Sequence, residues 1–102
     1  MSQDIHELQE ATAWDSEGRK LGFVGQVHRD RDTGRITWIT VALGLLETKP
    51  RFVPMAGARV EGTDVFVAYD DETIKDSPEI DADPEEGLSA EQEAMLASHY
   101  GL

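Results

Sequence analysis

The chain contains no cysteine, which removes disulfides, thiolate nucleophiles and Cys-type metal sites together. It has no run approaching the ~18 apolar residues of a membrane helix, and Met1-Ser2-Gln3-Asp4 opens neither a basic region nor an apolar signal core. Direct membrane insertion is therefore not expected, and a cytoplasmic protein is. Positive charge is scarce as well: 9 Lys and Arg stand against 21 Asp and Glu, a net charge of −12. The basic residues cluster only at one turn, as Arg29, Arg31 and Arg35. Counterion-release binding needs more than that, so nucleic acid is not an expected partner.

The acidity is uneven. Up to Tyr69 there are 10 acidic and 8 basic residues, a balance of −2; from Asp70 onward there are 11 acidic residues and Lys75 alone, a balance of −10. With 102 residues, the chain suffices for one domain that buries roughly two-thirds of its unfolded surface.

The richest local signal is a hairpin over Leu21–Leu43, turning at Asp30-Arg31-Asp32-Thr33-Gly34. Its second strand, Ile36–Leu43, is rich in β-branched and aromatic side chains. Ile39, Val41 and Leu43 share one face with Thr37; Ile36 and Trp38 share the other with Thr40 and Ala42. A strand apolar on both faces is usually covered on both, so a second layer or a partner is expected over Trp38. Gly22 and Gly25 interrupt the first strand, where glycine marks a bulge, a bend or close backbone approach.

Further strands are read at Gln9–Trp14, Arg51–Pro54, Arg59–Glu61 and Asp64–Tyr69. Six short strands with turns every 8–12 residues indicate a mainly β fold, a barrel or a sandwich. Asp71–Lys75 reads as one helical turn, stopped before Ser77-Pro78. Ser89 and Gln92 form an S-x-x-Q capping box for a helix that ends at Gly101. Met95, Leu96, His99 and Tyr100 make a stripe on that helix, which is too short to be stable undocked. The organisation expected is a loose segment 1–7, a barrel over 8–77, and an acidic connector with a helix over 78–102, packed on the barrel or on a second subunit.

Taken in order, Asp15-Ser16-Glu17-Gly18-Arg19-Lys20-Leu21-Gly22 with Val24 and Val27, Asp32-Thr33-Gly34-Arg35 before the Trp38–Val41 strand, Phe52-Val53-Pro54-Met55 and Asp64–Tyr69 resemble the PRC-barrel family. That family is named for the photosynthetic reaction centre H subunit and occurs also in a ribosome maturation factor. Ile74–Pro78, Leu88-Ser89 and His99-Tyr100-Gly101-Leu102 are similar to its stand-alone actinobacterial members. The resemblance implies a small, strongly bent β-barrel with an interaction role, possessing no shared catalytic residues.

The acidic tail offers oxygen ligands at Asp81, Asp83, Glu85 and Glu86, but the EF-hand pattern fails: Glu86 takes its glycine position and Gln92 its twelfth. A solvated acidic loop is the simpler reading. His6, His28 and His99 lack zinc-helix spacing, and no Ser-His-Asp order, phosphate loop or dinucleotide fingerprint occurs. No catalytic residue, metal or cofactor is therefore assigned. The remaining candidates are apolar: Ile36, Trp38, Leu45, Leu46 and Phe52, together with Met95, Leu96, His99 and Tyr100. They form either core beneath the helix or a patch that self-associates. The function expected is a non-enzymatic interaction module, acting as a homodimer or on a protein partner, with a possible stress-related role. The alternatives are a small-molecule barrel with a pocket near Gly22–Gly25 and Tyr69, or an adaptor of the reaction-centre or ribosome-factor kind.

Overall fold

In the computed structural model, residues 8–9, 11–30, 32–43, 50–82 and 87–102 are described. Six strands form one curled sheet: β1 (Thr12–Trp14), β2 (Lys20–Arg29), β3 (Ile36–Leu43), β4 (Arg51–Pro54), β5 (Arg59–Glu61) and β6 (Asp64–Phe66). The spatial order is β4-β3-β2-β1-β6-β5. The pairs β1–β2, β2–β3, β3–β4 and β5–β6 are antiparallel, whereas β1 and β6 run parallel. Two helices follow, α1 (Asp71–Lys75) and α2 (Ala90–Tyr100).

The hairpin stands where its residues place it. Asp30 accepts the Gly34 amide on its carbonyl and the Asp32 amide on its carboxylate, and Gly34 takes a positive φ of 72°. The inner face of β3 buries Ile39, Val41 and Leu43 against Ala13, Val24, Val53 and Val65. The β2–β3 ladder slips between Val24 and Val27. At this bulge the Gln26 amide donates to Thr40 Oγ1 at 2.8 Å, so the slipped backbone group keeps a partner.

Two expected strands are shorter than read. The first begins at Thr12 instead of Gln9, and Leu8 is buried as an apolar plug next to it, its carbonyl bonded by the Ala11 amide. The last ends at Phe66 instead of Tyr69, since the Val67 amide turns to the Trp14 carbonyl and the Tyr69 carbonyl accepts from Ser16.

Asp15 is the polar centre of this junction and is 1% exposed. One carboxylate oxygen accepts from the amides of Glu17 and Arg19, at 2.9 and 2.7 Å. The other accepts from the Asp71 amide at 3.3 Å, in the first turn of α1. A buried carboxylate is tolerated only when its lone pairs are occupied. Here they tie the β1–β2 turn to the helix that follows the sheet.

Candidate interaction surface

The outer face of the sheet falls into two halves. On the β2–β3–β4 half, register pairs place His28 beside Trp38, and Thr40 beside Phe52. Here α2 supplies the second layer. Trp38 is 4% exposed and Phe52 is 2% exposed. The Trp38 ring lies 6.1 Å from that of Tyr100, and its Nε1–H donates at 3.5 Å to Glu93. Tyr100 donates its hydroxyl to the Phe52 carbonyl at 2.6 Å and packs edge-on against Tyr69.

The helix is built to arrive there. Ser89 and Gln92 complete the reciprocal capping box, and Gly101 closes the helix in the left-handed region. His99 Nε2 lies 2.6 Å from the Thr73 carbonyl, joining α2 to α1.

The stripe read from the sequence divides on this docking. Leu96 and Tyr100 are buried and His99 is half-buried, but Met95 is 49% exposed and points away. A face two residues wide at i and i+4 suffices for so short a helix, and Met95 lies beside it. Ile36 is half-buried and packs against the core. Leu45 and Leu46, with Asp83, Glu85 and Glu86, lie outside the described residues. Asp81 is exposed, and no group of metal-ligating side chains forms among the described residues.

Burial pushes the Tyr100 hydroxyl up to about 12, because a phenolate there would lose its water. An unfolded tyrosine ionises near 10. The neutral ring therefore contributes its full stability below pH 10 and loses it as the pH climbs towards 12. Wild type should exceed Tyr100→Phe in stability by about 1 kcal/mol at neutral pH, the worth of the hydrogen bond. That gap should close between pH 10 and 12 in paired denaturant titrations. A constant gap would mean that the hydroxyl is not the group responsible. Burial lowers His28 in the opposite sense, and its Nε2 is buried without a hydrogen-bond partner among the described residues.

The other half of the outer face, over β2, β1, β6 and β5, carries nothing above it among the described residues. Ala13 and Val65 point inward, so Trp14 and Phe66 point outward and stack at 6.2 Å. Trp14 Nε1–H donates to Asp64 at 3.0 Å. Arg59 lies over the Phe66 ring, 4.8 Å from its centroid, and also pairs with Glu61 at 2.6 Å. Phe23 is 55% exposed, with the Lys20 ammonium 5.1 Å from its ring. The bulge between Ala13 and Trp14 brings Lys20 and Phe23 to one face in spite of their odd spacing.

The sequence reading missed this set. Its only visible signal was the alternation Thr12-Ala13-Trp14 and Asp64-Val65-Phe66. An open cleft of about 450 Å³ adjoins it, lined by Asp15, Ser16, Gly18, Arg59 and Phe66 among others. Neither the Gly22–Gly25 bend nor Tyr69, where the alternative small-molecule reading puts its pocket, lines that cleft.

No helix among the described residues is long and apolar enough to cross a membrane. A model of the PRC-barrel domain matches residues 3–74, more than two-thirds of the chain. A search of curated proteins finds no match. The chain belongs to the PRC-barrel family.

Proposed function

We propose that this PRC-barrel protein is a non-enzymatic protein-interaction module that binds through the open half of its outer sheet face. The observation that carries the reading is Phe23, a large apolar side chain left 55% exposed on the same sheet face as the outward-facing pair Trp14 and Phe66. Exposed aromatic side chains on one sheet face mark interaction sites. The other half of the same face already has its cover in α2, so it is not free to bind without displacing that helix. Two groups suited to acid–base work are engaged in holding the fold: Asp15 accepts three backbone amides, and His99 meets the Thr73 carbonyl.

The test is retention on immobilised protein, with a second copy of the chain counted among the possible partners. Wild type should retain a partner that Phe23→Glu loses while melting at the same temperature, since exposed substitutions usually cost within about 0.5 kcal/mol. Equal retention by both proteins would overturn the assignment of the face. Retention by neither, the chain's own copy included, would overturn the interaction reading itself.

A further inference from the structure

We infer that the partner at this face is a second copy of the chain, related by a two-fold axis that lies across the strands of β2, β1, β6 and β5. The inference rests on the interaction reading above and adds the occupant and its register. Strand pairing sets the outward side chains in two rows. Lys20, Trp14, Phe66 and Arg59 form one, since Trp14 pairs with Lys20 and with Phe66, and Phe66 with Arg59. Phe23, Thr12, Asp64 and Glu61 form the other by the same pairings. The rows are two residues apart along β1, β6 and β5, about 7 Å, and three apart along β2, where the bulge takes up the extra residue.

Charge selects the occupant. The two cations stand in the first row and the two carboxylates in the second, so the face as a whole is neutral. A second copy turned about an axis between the rows lays the first row on the second. Arg59 then meets Glu61 of the partner subunit, and Lys20 meets the ring of the partner subunit's Phe23. Each contact occurs twice, as a two-fold interface requires.

The net charge of −12 opposes association of two copies. Most of it lies from Asp70 onward: Glu91 and Glu93 are on α2, which packs on β4, the far edge of the sheet from β5, and Asp71 at the β1–β2 turn is offset by Arg19 at 3.7 Å. At about 0.15 M salt, screening reduces such repulsion beyond ~8 Å.

Sedimentation equilibrium at about 0.15 M salt tests the proposal, with melting temperature checked for each variant. Wild type should show a concentration-dependent dimer, and Phe23→Glu should weaken it by at least about thirtyfold, as loss of an interface anchor does. Arg59→Glu and Glu61→Arg should each be monomeric, because each sets like charges opposite one another. Their side chains are 68% and 58% exposed, so the fold should tolerate both. Mixed together, these two variants should form a heterodimer, since every contact between them is again of opposite sign. Met95→Glu, on exposed α2 surface, should leave the dimer intact.

A wild type that stays monomeric overturns the inference, and the interaction reading is then judged by the retention experiment alone. A dimer indifferent to Phe23→Glu places self-association on another face and also overturns it. Failure of the mixed variants to associate overturns the proposed register.

Discussion

Gly22→Ala should cost about 4 kcal/mol or more, the range reserved for core disruption, and abolish the cooperative denaturation transition if the margin is small. Gly22 sits on β2 between Ala13 of β1 and Leu43 of β3. A Cβ there would stand 1.8 Å from the Ala42 carbonyl oxygen and 3.0 Å from its carbon. The obstacle is backbone in the central ladder, so no rotamer change relieves it. Its φ of 155° is also one that L side chains rarely adopt. Relief requires β2 and β3 to part where the core is built on them. Gly18→Ala supplies the comparison: its φ is also positive, at 83°, but a Cβ there meets nothing within 4 Å. That variant should lose only about 1 kcal/mol, the ordinary cost of the left-handed region. Denaturant midpoints read at constant slope would compare the two. Similar losses would mean that φ, and not the approach to Ala42, decides the need for glycine.

The glycine was legible because its reason is local to one hairpin, as were the β3 strand, the capping box at Ser89 and the Gly101 stop. The last three rest on neighbours within a few positions, and Gly22 meets Ala42 across the two strands of that one hairpin. The parallel pairing of β1 with β6 could not be read in this way: Trp14 and Phe66 are 52 positions apart, and neither segment announces the other. The same separation hid the outer aromatic face. Alternation showed that Trp14 and Ala13 point oppositely, but not which face would be covered. The bulge at Ala13/Trp14 then put Lys20 beside Phe23 against the two-residue period. Asp15 was read as a turn residue, which it is. Its bond to Asp71, 56 positions away, depends on where α1 lands. The helix stripe was drawn one residue too wide, because periodicity cannot say how much of a short helix its dock will cover. Met95 is the result.

Trp38→Glu should unfold the protein or cost about 4 kcal/mol or more, even though a tryptophan on an outer sheet face would seem a natural interface residue. The expectation follows from what lies above it. At 4% exposure, with Tyr100 across its ring and Glu93 at its Nε1, the side chain belongs to the seam between the sheet and α2. A carboxylate there is desolvated and brought towards Glu93, so both burial and like charge oppose it. Trp38→Phe should be milder, within about 1–3 kcal/mol, since it keeps an aromatic in the seam but leaves a gap and removes the donor to Glu93. A Met95→Glu control on the exposed side of α2 should change stability by no more than about 0.5 kcal/mol. Thermal unfolding followed by far-ultraviolet circular dichroism, with mass by light scattering, separates the two roles that Trp38 can play. Loss of the folded signal fits a seam inside one chain. A folded Trp38→Glu protein of half the wild-type mass would instead place the subunit contact at this face. The helix over Trp38 would then belong to the partner, and the open aromatic face at Phe23 would lose its claim to the second copy.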